Sequence, residues 1–235
     1  IKEDTLVNMN NYIAFAPGFS DEDKNEYVQA VNDSVKLDYQ YLSLLPQPNT
    51  RKLTSKIKNQ LGGQAYINNA STRETFKQNA AGHKIIHIGT HAEFNNLNPE
   101  KSKLIFAKSG KNPDTDNALY LPDIYNCNIL SNITILTACE TGKPGYQDGE
   151  GMLSLAHAFN YAGSKSILTG LWKLDEQSSN MITEYFVENL TNKMSSDEAL
   201  QKAKLRYLQH ADGRMLAPAY WAGLVLIGNQ SNIDL

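Results

Sequence analysis

Short apolar runs alternate with segments of helical periodicity along this 235-residue chain. The apolar runs predict strands at residues 12–16, 64–68, 84–90, 133–138, 166–172 and 220–227. The runs at 84–90, 133–138 and 166–172 are apolar on both faces, as strands buried in a parallel sheet are. Capping residues and helical periodicity predict helices after Ser20 and at residues 51–61, 73–79, 152–161, 175–190 and 197–209. Residues 103–107 and 118–121 predict a short hairpin.

This alternation is typical of an α/β fold, in which helices cover both faces of a mostly parallel sheet. The loops between the elements do not divide the chain into two units, so we expect one domain over residues 1–235 with a sizeable core. The first residue is Ile1 rather than Met, which indicates a fragment of a longer protein. Ligands of such sheets bind at the carboxyl ends of the strands, where functional residues are therefore expected.

The charge and the cysteine content narrow the class of protein. The formal net charge is −3 and no Lys or Arg run stands out, so nucleic-acid or anionic-membrane binding is not favoured. Two cysteines, Cys127 and Cys139, are too few for a disulfide scaffold, and we expect free thiols in a reducing compartment, the cytoplasm. No apolar run reaches the roughly 18–20 residues of a membrane span, although a segment outside this chain would still allow anchoring.

A histidine and a cysteine follow two of the buried strands. His91 comes directly after residues 84–90, and Cys139, 48 residues further on, comes directly after residues 133–138. Because parallel strands share a direction, both residues should emerge at the same edge of the sheet. A thiol with a pKa of about 8.5 is mostly protonated at neutral pH, but a neighbouring imidazole can take its proton and later protonate a leaving amine. We therefore predict Cys139 as a nucleophile and His91 as its general base.

The turns after the two strands also offer hydrogen-bond donors. A tetrahedral oxyanion requires two preorganised N–H groups, and we expect the backbone N–H groups of Ala92 and Cys139 to supply them. The alternative is purely structural, because a free cysteine is among the most buried residue types and usually has no chemical role. The place of Cys139 at a core-strand end, before a glycine-rich loop at residues 142–151, favours the nucleophile.

Five motifs follow one another in the chain: Ile-His-Ile-Gly-Thr-His at 86–91, Ile-Leu-Thr-Ala-Cys-Glu-Thr-Gly at 135–142, Gly-Glu-Gly-Met-Leu-Ser-Leu-Ala-His-Ala-Phe at 149–159, Leu-Trp-Lys-Leu-Asp at 171–175 and Ala-Tyr-Trp-Ala-Gly-Leu-Val-Leu-Ile-Gly at 219–228. The second matches the caspase signature Q-A-C-[RQG]-G only in part, but the histidine lies about 50 residues upstream as in caspases. Together the motifs resemble the CHAT family of caspase-like domains, over roughly residues 40–228.

The resemblance implies a caspase-like three-layer α/β/α sandwich with a Cys–His dyad, and His91 and Cys139 match the dyad positions. It implies an endopeptidase that cuts a protein substrate through a thioester intermediate, in bacterial signalling or defence. It also implies control by another domain or a partner, such as tetratricopeptide repeats. Ala92 departs from the glycine that usually follows the histidine in this family. This departure keeps a second hypothesis open, an inactive scaffold for protein–protein interaction.

Five further residues are candidates for substrate binding. Many relatives of this class cut after Arg or Lys, and Glu140, Asp148 or Glu150 around the loop after Cys139 would suit such a basic residue. Glu150 would otherwise only stabilise the start of the next helix. Trp172 and Asp175 follow the third buried strand and resemble the substrate-cleft strand of the family, although Asp175 also fits a helix N-cap.

No cofactor and no metal site are expected. His83, His87 and His91 recur every four residues, which would suggest a metal site on a helix but loses that meaning on a strand. His87 is instead expected in the core. A doubly wound enzyme of another chemistry is disfavoured, because the loops after the core strands contain no G-x-G-x-x-G, G-x-x-x-x-G-K-[ST] or G-x-S-x-G motif.

Overall fold

Strands and helices alternate through most of the chain. The structure is a computed structural model that describes residues 10–31, 36–95, 97–108, 116–137, 139–140, 150–229 and 232–235, with the backbone alone for 139–140 and 150–153. The strands are β1 (Asn10–Ala16), β2 (Gln64–Ile67), β3 (His83–Ile88), β4 (His91–Glu93), β5 (Lys103–Ile105), β6 (Ala118–Tyr120), β7 (Ser131–Leu136), β8 (Cys139–Glu140), β9 (Ser164–Gly170) and β10 (Leu224–Gly228). The helices are α1 (Asp21–Ala30), α2 (Tyr39–Leu42), α3 (Pro48–Leu61), α4 (Arg73–Asn79), α5 (Leu121–Tyr125), α6 (Glu150–Tyr161), α7 (Glu176–Thr191), α8 (Ser196–His210) and α9 (Pro218–Trp221). None of the helices in the described ranges is both long enough and apolar enough to cross a membrane.

A six-stranded central sheet runs in the order β10-β9-β7-β3-β1-β2. All of its neighbouring strands are parallel except the edge strand β10, which is antiparallel to β9. A second sheet runs in the order β6-β5-β4-β8, and only its β4–β8 pair is parallel. The prediction of a mostly parallel sheet is therefore confirmed.

Side chains alternate between two cores along each central strand, because successive residues of a strand point to opposite faces. On β1, Ile13 and Phe15 lie in one core, together with residues of α4, α5 and α6. Tyr12 and Ala14 lie in the opposite core, together with residues of α3, α7 and α8. Two helical layers thus enclose the sheet, which confirms the three-layer α/β/α sandwich.

Helix α1 begins where the sequence predicts. Ser20 Oγ accepts a hydrogen bond from the Asp23 N–H at 3.2 Å, and the Asp23 carboxylate accepts one from the Ser20 N–H at 3.1 Å. This capping box satisfies donors that the first turn leaves unpaired. Asp21, Glu22 and Asp23 also place negative charge at the positive end of the helix dipole.

The predicted last strand, residues 220–227, is too long. Tyr220 and Trp221 belong to the short helix α9, and β10 begins only at Leu224. Pro218 occupies the first turn of α9, where its fixed φ and missing N–H are tolerated. An apolar run alone does not distinguish a strand from a buried helical turn, which explains the wrong boundary.

Candidate active site

The carboxyl ends of β3 and β7 lead directly into the predicted site. The two strands are parallel neighbours, with Ile88 beside Leu136, and the Thr137 N–H then donates to the Ile88 carbonyl oxygen at 3.1 Å. The chain continues from these strands into β4 and β8, which pair in parallel with His91 opposite Cys139. Neighbouring strands lie about 4.8 Å apart, so the backbones of the two predicted dyad residues are immediate neighbours.

The His91 ring is held in one tautomer. Its Nε2 atom lies 2.8 Å from the Leu45 carbonyl oxygen, and since a carbonyl only accepts, Nε2 carries the proton. In the neutral ring Nδ1 is then an acceptor. It is buried and has no hydrogen-bond partner among the described residues. The ring also packs against Phe19, with centroids 4.9 Å apart, so His91 presents a buried lone pair in a fixed orientation.

The surroundings of His91 favour its neutral form. Burial, the largest effect, lowers the pKa of His91 below the ordinary value of 6.5. The hydrogen bond to Leu45 and the Glu176 carboxylate raise that pKa, whereas the ammonium groups of Lys173 and Lys24 lower it further. An imidazole that stays neutral at neutral pH is in the form that a general base needs.

The turn between β3 and β4 is tightly fixed. The Thr90 hydroxyl donates to the Ile105 carbonyl oxygen on β5, and the Thr90 carbonyl oxygen accepts from the buried Gln47 amide at 3.5 Å. Gly89 faces α3 so closely that an added Cβ would lie 2.0 Å from Thr50 Cγ2. Glycine is therefore required here by the close approach of a neighbouring helix.

A cavity of about 240 Å³ opens beside the residue that orients His91. It is lined by Gln40, Ser43, Leu44, Leu45, Glu93 and Lys173. Glu93 accepts a hydrogen bond from Gln40 at 2.5 Å and lies 3.2 Å from Lys103 Nζ, so its charge is balanced locally. The Leu45 side chain is 71% exposed, which leaves an apolar contact surface at the cavity mouth.

Of the acidic candidates and the proposed oxyanion donors, Ala92 lies on β4, and Cys139 and Glu140 lie on β8. Glu140 follows Cys139 on β8 and lies opposite Ala92, which is fully buried between β5 and β8. Glu150 is the first residue of α6. Asp148 lies outside the described residues. The roles given to these residues remain predictions.

Trp172 and Asp175 are both engaged in local structure. The Trp172 indole N–H donates to the Ala219 carbonyl oxygen at 2.9 Å, and its ring occupies space that a side chain at Gly223 would fill. Asp175 is the N-cap of α7, where its Oδ1 accepts from the Ser178 N–H at 2.9 Å. Both residues follow β9 at the same edge of the sheet as His91, so contact with substrate remains a prediction for them.

Sequence reasoning missed two residues that hold His91. Leu45 acts through its carbonyl oxygen, which every residue type possesses, so no pattern in the sequence marks it. Phe19 follows the Pro17-Gly18 stop after β1 and has a positive φ of 50°. An aromatic residue directly after a strand end was the one available signal, and it did not indicate which ring it contacts.

The fold is that of caspase-like cysteine proteases. The structure is similar to the complex of the pro- and mature domains of Porphyromonas gingivalis RgpB, with a TM-score of 0.53 and 12% sequence identity, covering 98% of this chain and 49% of that one. The crystal structure of the Arg-specific cysteine proteinase gingipain R (RgpB) gives a TM-score of 0.49, also at 12% identity, with coverages of 98% and 48%. At 12% sequence identity, the similarity to the complex of the RgpB pro- and mature domains concerns the fold alone.

The CHAT domain family matches residues 14–229, and the chain belongs to that family. The match begins well before residue 40 and includes the end of β1 and all of α1. Tetratricopeptide repeat protein 28 of Mus musculus is 22% identical over 219 residues, and that of Homo sapiens is 23% identical over 219 residues. The alignments cover 80% of this chain but only 9% of either relative.

Proposed function

We propose that the chain is a cysteine endopeptidase in which Cys139 is the nucleophile and His91 the general base. The observation that carries the proposal is the parallel pairing of β4 with β8, which sets the two residues opposite each other. The tautomer of His91 supports it, because a thiol that must lose a proton needs an acceptor such as the buried Nδ1.

In the proposed mechanism the Cys139 thiol proton passes to His91 Nδ1, and the thiolate forms a bond to the carbonyl carbon of the scissile peptide. The backbone N–H groups of Ala92 and Cys139 are the donors that we assign to the resulting oxyanion. His91 then gives the proton to the leaving nitrogen as the C–N bond breaks, which leaves a thioester. Water, deprotonated by His91, attacks the thioester carbonyl, and the C–S bond breaks to release the acid product while the Cys139 sulfur takes the proton back from His91.

The substrate and the setting belong to the same proposal. We expect cleavage of a protein after a basic residue, with Glu140, Asp148 and Glu150 forming the acidic pocket and Trp172 and Asp175 lining the cleft. We expect the domain to act in the cytoplasm, in bacterial signalling or defence. Control by an attached or separate repeat domain is supported by the two relatives named as tetratricopeptide repeat proteins.

The first test measures cleavage of a positional peptide library by the chain and by its Cys139→Ala and His91→Ala variants. We expect each variant to lose activity by about 10³-fold or more, because the loss of either residue of a catalytic dyad abolishes the function of the pair. Cys127→Ser is the matched control. Cys127 is half-buried beside the Asp123 carbonyl, outside the site, and its loss should leave cleavage unchanged.

Each outcome of the library experiment has a defined meaning. Cleavage that persists in Cys139→Ala contradicts the mechanism. Absence of cleavage by the unmodified chain, together with no labelling of Cys139 by a thiol-directed peptide warhead, favours the inactive scaffold that Ala92 keeps open. A preference for Arg or Lys before the cut supports the acidic pocket, and its loss in Glu140→Gln or Glu150→Gln would identify the residue responsible.

A further inference from the structure

A second histidine, His87, is completely buried between the strands that lead to the site. Its Nδ1 lies 3.0 Å from the Tyr12 hydroxyl on β1, and its Nε2 lies 3.0 Å from the Thr137 hydroxyl just beyond β7. Burial lowers the pKa of His87 to about 3, so the ring is neutral at neutral pH. One ring nitrogen therefore donates and the other accepts, and either hydroxyl can take the complementary role.

The polar chain Tyr12–His87–Thr137 shares its strands with fully buried apolar side chains. Ile85, Ile133 and Ile135 on the same strands are 0% exposed. Burying polar groups is unfavourable unless each is hydrogen-bonded, whereas apolar side chains would fill the same space without that requirement. What the polar chain adds over apolar packing is a fixed distance and direction between three strands.

The His87–Thr137 hydrogen bond lies close to the candidate active site. Thr137 comes two residues before Cys139, and His87 comes four residues before His91. The bond lies where the β3–β7 ladder ends, next to the hydrogen bond from the Thr137 N–H to the Ile88 carbonyl oxygen. Beyond this point the Gly89 N–H still donates to the Phe15 carbonyl oxygen of β1, and the described parts of the two segments pair with each other through β4 and β8.

We propose that His87 and Thr137 are positioning residues, whose side-chain hydrogen bond fixes the alignment of β8 on β4 and thereby holds Cys139 opposite His91. The effect of this alignment on catalysis rests on the proposed peptidase function. The alignment of β8 on β4 is itself a structural property that can be measured without any substrate. Loss of the side-chain bond leaves the backbone bond from the Thr137 N–H to the Ile88 carbonyl oxygen to hold the end of β7 to β3, so the alignment next to the site is weakened.

The test compares Thr137→Val with Tyr12→Phe. Each variant removes one hydroxyl, and with it one hydrogen bond to the same buried ring, while it nearly conserves side-chain volume. Only Thr137→Val removes a side-chain bond from the segment that leads to Cys139. Thr137→Ser retains the hydroxyl and serves as the rescue variant. The readouts are the pH profile of iodoacetamide alkylation of Cys139, resolved from Cys127 by peptide mass spectrometry, and hydrogen exchange of the Cys139–Glu140 amides.

Thr137→Val should slow alkylation of Cys139 at neutral pH by about 10-fold to 100-fold, the range expected for a reacting group misplaced by up to 1 Å. It should also speed amide exchange at Cys139–Glu140, while Thr137→Ser and Tyr12→Phe stay close to the unmodified chain. Equal effects of Thr137→Val and Tyr12→Phe would overturn the inference, because His87 would then only stabilise the core.

The two proposals fail in different ways. If Cys139 of the unmodified folded chain reacts no faster than in urea, the proposed dyad is wrong, and hydrogen exchange alone then decides the inference. Faster exchange of the Cys139–Glu140 amides in Thr137→Val alone still supports the alignment role. Unchanged exchange in that variant overturns it, whatever the reactivity of the thiol.

Discussion

His87 and His91 lie four residues apart, yet their ring nitrogens are satisfied differently. Both nitrogens of His87 are hydrogen-bonded, whereas His91 uses Nε2 alone and keeps Nδ1 unbonded among the described residues. A buried histidine with two partners has no lone pair left for chemistry. A buried histidine with one partner retains an acceptor, and this difference makes His91 rather than His87 the candidate base.

The buried neutral His87 should make stability depend on pH. Its pKa is about 3 in the folded chain against an ordinary value of 6.5. Below pH 6.5 the His87 ring is therefore protonated in the unfolded chain but stays neutral in the folded chain. The contribution of His87 to stability is complete above pH 6.5 and is lost progressively towards pH 3. Between pH 6 and 4, the free energy of unfolding should fall more steeply with acidification in the unmodified chain than in His87→Gln, by about 1.4 kcal/mol per pH unit.

Urea unfolding of both proteins at several pH values measures this difference in slope. Other buried histidines with a lowered pKa, His91 and His83, contribute equally to both proteins and cancel in the comparison. Parallel slopes would show that His87 is accessible to protons in the folded state. This outcome would contradict its complete burial.

At the level of single residues, the sequence predicted that His91 and Cys139 follow strands that end at one edge of the sheet, and their backbones pair there. The catalytic role of the two residues stays a prediction. It predicted Asp175 as a possible N-cap, which the structure confirms. It could not predict the Leu45 carbonyl or the His87–Thr137 bond. The first depends on a backbone atom that every residue has, and the second depends on the register of two strands that are far apart in the chain.

Among the secondary-structure elements, α3 links the site to the helical layer behind it. The Glu176 carboxylate at the start of α7 accepts hydrogen bonds from the Asn49 and Thr50 N–H groups in the first turn of α3, each at 3.0 Å. The same turn presses Thr50 against Gly89, at the point where β3 ends. The positions of α3, α7 and the β3–β4 turn are therefore coupled.

Gly89→Ala should destabilise the fold by about 1–3 kcal/mol, the usual cost of overpacking a core, because the new methyl group would collide with Thr50 Cγ2. Thr50→Ser removes that methyl group and retains the hydroxyl, which bonds Glu176 and Asn180. The double variant should therefore recover part of the loss, and urea unfolding of the four proteins measures the coupling. Additive effects would indicate that Thr50 is not what excludes a side chain at residue 89.

The long elements were predictable and the short ones were not. The predicted strands and helices of the central sheet correspond to observed elements, with boundaries shifted by a few residues. The three-residue β4 and the two-residue β8 have too few positions to show a period, so neither was predicted as a strand. The central pairing of the candidate site therefore had to come from the structure.

For the whole molecule, the central sheet combines strands from the first half of the chain with strands from the second half. The first strand lies between β2 and β3, whereas β7, β9 and β10 extend the same sheet on the other side. Two cores run along the full sheet and draw residues from both halves of the chain. Such an arrangement offers no boundary at which one half would unfold alone.

We therefore predict a single cooperative unfolding transition in urea. Trp172 and Trp221, the two tryptophans of the chain, both lie near β9 and β10 and report on that side of the sheet by fluorescence. Far-ultraviolet circular dichroism reports on all elements. The two signals should change at the same urea concentration. A fluorescence midpoint clearly below the dichroism midpoint would contradict the prediction of one domain.

The pairing of β4 with β8 also orders events during protein synthesis. A chain that leaves the ribosome from its amino terminus exposes His91 before Cys139 has been made, since 48 residues separate them. The pairings of β7 with β3 and of β8 with β4, which set the two residues opposite each other, require both stretches of the chain. A nascent or half-folded chain therefore lacks the proposed catalytic pair.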